Sequence, residues 1–406
     1  MSNHFSLMRI LRVIWSMDPT GGGPSQGIRN SIPELEKLGA SNEVVSLDSD
    51  DASFLGKDSF TIHTVGTGVG PWAYNANLIP WLLNNFERFD TIIIHGLWQY
   101  HSYAVFSALS KFKNRNLGLG PKLYVMPHGM LDPWFQKARG RKLKAIRNWL
   151  FWKIIEGKVV NNADGILFTC EAELRLARET FTPYKPKNEI NVGYGIQTPP
   201  VLTDFMSAAF QARCEQISDR PYFLFLSRIN YKKGVDILID AYSIVLKESK
   251  LAGYSLPALV IAGPGIDSEF GKKLVSKVKN DTLLSKNIFF PGMLAGESKW
   301  GAFYGCEAFV LPSHQENFGI AVAEALACGK PVLISDQVNI WTEIHEAGGG
   351  IIEKDTIEGI LNMLRSWQKL SDERKLNMGL IASSIFRNKF EISSAANQFL
   401  KGIRNE

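Results

Sequence analysis

Short apolar runs alternate with amphipathic segments of helix length along nearly the whole chain, and the series occurs twice. Short, mainly apolar runs without strict polar alternation describe a strand covered on both faces, and helix-length connections make successive strands parallel. The first series comprises Arg9 to Ile14, Glu43 to Leu47, Thr91 to Ile94, Leu123 to Met126 and Gly165 to Phe168. The second comprises Tyr222 to Leu226, Ala258 to Ile261, Ile288 to Phe290, Ala308 to Leu311 and Val332 to Ile334. The pattern predicts an α/β protein of two Rossmann-like, doubly wound domains facing across a cleft, with ligands outside the carboxyl ends of the strands. A chain of 406 residues also exceeds one comfortable core. Thr198-Pro199-Pro200 breaks any helix and polar residues follow. The domains are therefore placed at 1–198 and 220–385, with a linker at 199–219 and a C-terminal helix in 386–406.

A net charge of +5 is modest for this length and does not by itself argue for nucleic acid. Cys170, Cys214, Cys306 and Cys328 form no CxxC pair, so neither a zinc site nor a disulfide framework is indicated. No run of 18 apolar residues occurs, and Arg9 and Arg12 interrupt the early apolar stretch, so a cytoplasmic, non-spanning protein is expected. One segment stands apart, from Trp134 to Lys153, where cations cluster with Trp and Phe. Two readings remain open: peripheral contact with an anionic membrane face or polyanionic acceptor, or an ordinary helix with Ile146, Leu150 and Ile154 on its core side. No nucleic-acid module surrounds the patch.

The chemistry-bearing residues follow strands. Glu316 and Glu324 flank Asn317-Phe318-Gly319-Ile320 at a loop-to-helix turn that Gly329 closes. Carboxylates there accept hydroxyl hydrogen bonds, while backbone N–H groups of the helix start face an anion. After Tyr222 to Leu226 come Arg228 and Lys233, two cations able to neutralise a departing diphosphate. Glycine loops containing Gly263 and Gly292-Met293 follow the next two strands. In the first half, Asp18 to Pro24 carries Gly21, Gly22 and Gly23 ahead of a helix, but it is not GxGxxG, so a dinucleotide fingerprint is absent. His95 and His128 each follow a strand, where a doubly wound sheet exposes functional groups.

The order Pro312-Ser313, Glu316-Asn317-Phe318-Gly319, Glu324-Ala325-Leu326-Ala327-Cys328-Gly329-Lys330-Pro331-Val332 resembles the E-x7-E region of retaining glycosyltransferases of family four, which have the GT-B fold. Ser227-Arg228 to Lys233-Gly234 resembles that family's Gly-Arg and Lys-Gly phosphate loop, with Ser227 in place of Gly. Pro127 to Pro133 resembles a polysaccharide-synthesising subgroup. The chain departs from its relatives after Ser335-Asp336, where Gln337 to Glu343 replaces paired glycines. The resemblance implies catalytic roles for Arg228, Lys233, Glu316 and His128. It implies donor contacts at Gly22, Gly23, Gly263, Met293, Asn317, Phe318, Gly319, Ile320 and Glu324, and acceptor or sugar contacts at His95 and Asp132. The final helix, Ile392 to Ile403, is a candidate to cross back to the first domain. Asp48-Ser49-Asp50 matches a metal motif of a different glycosyltransferase fold and is read as a solvated acidic loop, with no metal or cofactor required. The implied reaction moves a hexose from UDP-glucose or another UDP-hexose to a saccharide or lipid-linked oligosaccharide, in exopolysaccharide or cell-surface polysaccharide synthesis. An NAD(P)-dependent oxidoreductase and a nonenzymatic nucleotide-sugar-binding protein are the alternatives.

Overall fold

A computed structural model of the chain describes residues 7–19, 22–138 and 140–404. It divides into two compact units, Met1–Gly195 with Ile392–Glu406, and Ile196–Glu391. The first holds strands β1 (Met8–Ile14), β2 (Ala40–Ser46), β3 (Thr61–Thr64), β4 (Thr91–His95), β5 (Lys122–Met126), β6 (Gly165–Phe168) and β7 (Glu189–Asn191). They lie parallel in the order β3-β2-β1-β4-β5-β6-β7. The second holds β8 (Tyr222–Leu226), β9 (Ala258–Ala262), β10 (Ile288–Gly292), β11 (Ala308–Leu311), β12 (Val332–Ser335) and β13 (Gly350–Glu353), parallel in the order β10-β9-β8-β11-β12-β13. In each sheet the order reverses beside the first strand, at β1/β4 and at β8/β11. Loops diverging at such a switch point leave room for a ligand. Register places Ile14 beside His95 and His95 beside Met126, so the loops after β1, β4 and β5 leave the first sheet together.

Alternation of side chains along each strand builds the first unit's core on both faces. Ile92 and Ile94 join Leu11, Val13, Leu123, Val125 and Phe168 on one side. Ile10, Ile93, Tyr124 and Leu167 turn to the other, where Ala396, Phe399, Leu400 and Ile403 of the helix Ile392–Arg404 cover them. Each large side chain so buried contributes roughly 1.5–3 kcal/mol. The Tyr124 hydroxyl, otherwise stranded in that layer, donates to the Ile403 carbonyl at 3.0 Å.

Four differences from the sequence reading have local causes. Strands β3, β7 and β13 are short sheet edges with sequences TIHT, EIN and GIIE, and one-sided pairing leaves them without an apolar run. The expected linker at 199–219 needs correction, because Asp204–Gln211 is a helix, its start capped by the Thr203 hydroxyl and its Met206 and Phe210 buried. It packs closely on the helix Gly296–Gly305, where a side chain at Gly301 would overlap the Met206 carbonyl. The solvated reading of Asp48 is also corrected. Its carboxylate is buried and accepts the Ser16 hydroxyl at 2.6 Å and the Met17 amide at 2.7 Å, pinning the loop after β1. Finally, Ile146, Leu150 and Ile154 are 58%, 45% and 62% exposed, which overturns their placement in a core.

Candidate functional site

In the second unit, glycines weld the carboxyl-end loops together. Gly263 (φ 137°) and Gly265 (φ 106°) lie so close to the Ser227 and Ile229 carbonyls that a Cβ at either would collide. Ile229 donates its amide to Pro264 at 2.8 Å, and Gly263 donates to Gly292 at 2.9 Å, joining the loops after β8, β9 and β10. Gly234 (φ 67°) likewise fits against the Pro312 carbonyl, and the His314 amide donates to Lys232 at 2.8 Å. The loop after β11 is therefore held against the turn Tyr231–Lys233. Gly263 consequently shapes the site through its backbone approach.

That packing brings Lys233 and Glu316 together. Lys233, its side chain only 8% exposed, pairs through Nζ with Glu316 Oε2. The Glu316 backbone is clamped as well, donating to the Gln337 carbonyl at 2.9 Å and accepting from Asn339 at 3.0 Å. Arg228, two residues past β8, stands exposed with no ion pair among the described residues. Gly319 (φ 81°) turns the chain into the helix Ile320–Ala327, Phe318 is buried edge-on against Phe390, and Asn317 lies near Asn339 at 3.5 Å. Glu324, on that helix, accepts a 2.9 Å ion pair from Lys299, whose ammonium also lies 3.9 Å from the Trp300 ring centre. Met293 is exposed, and its carbonyl accepts from Arg213 at 3.3 Å.

In the first unit, Gly22 (φ 100°) and Gly23 open the helix Gly23–Lys37 with free space where side chains would stand. Thr20 and Gly21 of the same loop lie outside the described residues. His95 and His128 meet at 2.9 Å, Nδ1 to Nε2, with stacked rings. Arg12 Nη1 lies 3.4 Å from His95 Nε2. A guanidinium only donates, so His95 Nε2 is the acceptor and its proton sits on Nδ1. That proton is donated to His128 Nε2, which leaves the His128 proton on Nδ1. Asp132 is turned into its own loop, where Oδ1 accepts the Trp134 amide at 2.8 Å.

Two buried carboxylates that sequence reasoning missed hold these loops. Glu173 accepts the Gly129 amide at 2.5 Å, the Thr169 amide at 2.8 Å and the Thr169 hydroxyl at 2.6 Å. Glu156 accepts the Trp98 amide at 2.8 Å and the Ser102 hydroxyl at 2.7 Å. Each anchors a loop containing a left-handed non-glycine residue, His128 at φ 53° and Trp98 at φ 73°. Lys299 was missed too. A lone Lys in a helical run carries no sequence signal, and only the fold sets it beside Glu324.

Burial pushes the histidines below the usual imidazole range: His128 to about 3, with the Arg12 charge second, His101 to about 4, and His95 well down. Unfolded histidines take up protons below about pH 6.5 while these stay neutral, so the stability they contribute is complete above that pH and is lost on acidification. Glu156 acts oppositely. Burial raises it to about 7, so the folded form takes up a proton between there and about pH 4.3 that the unfolded form does not, favouring the fold as pH falls. With three groups against one, the melting temperature of the first unit is expected to fall between about pH 6.5 and 5. Glu156→Gln should steepen that fall. A melting temperature flat across the range, followed by scanning calorimetry, would contradict the assignment.

Comparison with known proteins bears on the same residues. Residues 209–379 match the family described as Glycosyl transferases group 1, and residues 22–188 match the Glycosyl transferase 4-like domain. An O-antigen chain mannosyltransferase C of Escherichia coli is 27% identical over 183 residues, 45% of this chain and 42% of that protein. A D-inositol 3-phosphate glycosyltransferase of Kineococcus radiotolerans is 26% identical over 196 residues, 48% and 45% of the two chains. The chain thus spans less than half the length of these curated relatives. Among solved structures, Anabaena HepE in complex with UDP and glucose superposes with a TM-score of 0.72 at 15% identity, covering 98% of this chain and 100% of that one. Sucrose-phosphate synthase from Thermosynechococcus elongatus gives 0.72 at 16% identity, covering 98% of both. At such identity the likeness concerns the fold, two Rossmann-like domains of the GT-B type.

Proposed function

We propose, from the premise that this chain belongs to family four of the glycosyl transferases, group 1, that it moves a hexose from a nucleoside-diphosphate sugar to a saccharide or lipid-linked oligosaccharide. The observation that carries this reading is the Lys233–Glu316 pair. A diphosphate entering the loop after β8 takes a share of the Lys233 ammonium, and the Glu316 carboxylate is then available to sugar hydroxyls. UDP-glucose or another UDP-hexose is the donor we favour, supported by the UDP and glucose in the HepE complex. The acceptor belongs, in this reading, to a cell-surface polysaccharide or exopolysaccharide, as the mannosyltransferase relative's name suggests. Four free, buried cysteines fit a reducing, cytoplasmic setting.

Transfer proceeds with retention and without a metal. The bond from the anomeric carbon to the phosphate oxygen breaks, the acceptor oxygen bonds on the same face, and the departing phosphate oxygen takes the acceptor proton. Arg228 and Lys233 neutralise the charge that develops on the diphosphate, helped by N–H groups at Asn317 to Ile320. Glu316 and the His128 Nδ1–H hold sugar hydroxyls. Glu324, set by Lys299, takes the ribose. The Met293 carbonyl is engaged by Arg213, so the backbone amide there is the group offered to the base. Gly22, Gly23 and Gly263 let backbone approach the phosphates or acceptor, while His95 orients His128, and Asp132 acts through its loop.

A calorimetric panel of UDP-, GDP- and ADP-sugars alongside NAD(P) tests the reading. Selective UDP-hexose binding is expected, and Glu324→Ala should weaken it by about tenfold, the worth of one lost hydrogen bond to a charged group. Binding of NAD(P) alone would sink the proposal, and unchanged affinity in Glu324→Ala would remove the ribose role.

A further inference from the structure

The segment from Lys142 to Glu156 has two faces with opposite fates. Asn148, Trp152 and Glu156, four residues apart, turn inward and are buried. Trp152 stacks on Phe181 at 4.8 Å and donates from Nε1 to the Pro183 carbonyl at 3.2 Å. This anchorage fixes what faces out. Leu143, Ile146, Leu150 and Ile154, at successive spacings of three and four, form an exposed ridge with Trp149 beside it. The α-helix Lys142–Phe151, continued by a π-helical turn at Trp152–Glu156, carries the ridge roughly 16 Å from 143 to 154. Lys142, Lys144, Arg147 and Lys153 are exposed along the same stretch, and no Asp or Glu occurs between Gly140 and Ile155.

The geometry points to this ridge as a docking surface for an anionic lipid bilayer, lying in the headgroup region with its apolar row inserted and its cations against lipid phosphates. A protein partner would meet the apolar row equally well, but a row bordered only by cations is complementary to a uniformly anionic, apolar-cored surface. The charge pattern selects the bilayer. The attachment made by this ridge is peripheral, because it lies along the surface of the first unit, and no helix of the described residues is long and apolar enough to cross a membrane. The link to a lipid-linked acceptor rests on the proposed reaction; the docking itself does not.

The test is co-sedimentation of the full chain with vesicles of phosphatidylcholine alone or mixed equally with phosphatidylglycerol. Binding to the mixed vesicles is expected at low salt and should weaken at high salt. Lys142→Gln/Lys144→Gln/Arg147→Gln should lower the partition on the order of a hundredfold or more, at about 1 kcal/mol per cation. Ile146→Ser/Leu150→Ser should lower it without changing net charge. All native cysteines are buried, so Ile146→Cys can carry a polarity-sensitive dye, whose emission should shift to the blue on anionic vesicles. UDP-sugar calorimetry on every variant reads the donor site separately: unchanged donor affinity with lost sedimentation supports docking, whatever the reaction proves to be. Failure to sediment, sedimentation indifferent to lipid charge, or variants that bind like the parent would overturn the inference. So would vesicle-free self-association abolished by Ile146→Ser/Leu150→Ser, which would assign the ridge to a second copy of the chain.

Discussion

Lys233→Ala is expected to lower the rate of nucleoside-diphosphate release from the donor by about 100- to 1,000-fold, the usual effect of deleting one preorganised group that stabilises developing charge. Two consequences of the deletion add. The departing diphosphate loses a cation that is already desolvated and aimed, and Glu316 loses the partner that holds its carboxylate in place. Lys233→Arg should not restore the rate, because a longer, planar guanidinium does not set its charge where the ammonium of this 8%-exposed side chain meets Glu316. Product release measured by coupled assay, with circular dichroism to show that the fold persists, decides the matter. Turnover at the parent rate would remove Lys233 from the catalytic machinery.

Glu173→Gln carries the second large effect, on a residue with no contact to any proposed ligand. Three donors converge on its carboxylate, and an amide in its place must turn an NH2 toward at least one of them. Hydrogen bonds to a buried charge are worth about 1.5–3 kcal/mol, so a loss of roughly 3 kcal/mol in the stability of the first unit is expected in denaturant titration. The loop it releases carries His128 in its left-handed conformation, so donor turnover should fall as well. A purely structural role would leave the His128 ring unaffected at temperatures where the protein stays folded. Nitrogen NMR of labelled histidine should instead show the Nδ1-protonated form of His128 giving way to a tautomer mixture. A spectrum unchanged from the parent would confine Glu173 to stability.

Most of the sheet was legible because parallel strands buried on both faces must be continuously apolar: β6, β8 and β11 fall on the residues the pattern selects. Three of the four edges, β3, β7 and β13, were not, since a strand paired on one side needs no such run, and Glu189–Asn191 is indistinguishable from a loop in sequence; the fourth, β10, keeps an apolar run and was read. Within the candidate site, the residues proposed on glycine-marked loops are singled out by their place after a strand together with the family resemblance. Glu173 and Glu156 could not. Their partners are backbone amides 44 and 58 residues distant, and a carboxylate on a helix reads as solvated until the fold closes over it. The Trp134 to Lys153 segment shows the converse limit. Helical spacing of Ile146, Leu150 and Ile154 is equally consistent with an inward or outward face, and only the burial of Trp152 decides between them.

The helix Ile392–Arg404 covers one face of the first sheet, with Tyr124 bonded to Ile403 across 279 residues. During synthesis, then, the residues of the first unit up to Gly195 emerge first but lack part of their own wall until Ile392 to Arg404 have been made. The second unit, wholly contained between residues 196 and 391, can close while the first still waits. Order of translation and order of completion are thus reversed. A ribosome stalled before Ile392 would leave the unit that carries His95 and His128 with a bare apolar face while the second unit is already complete.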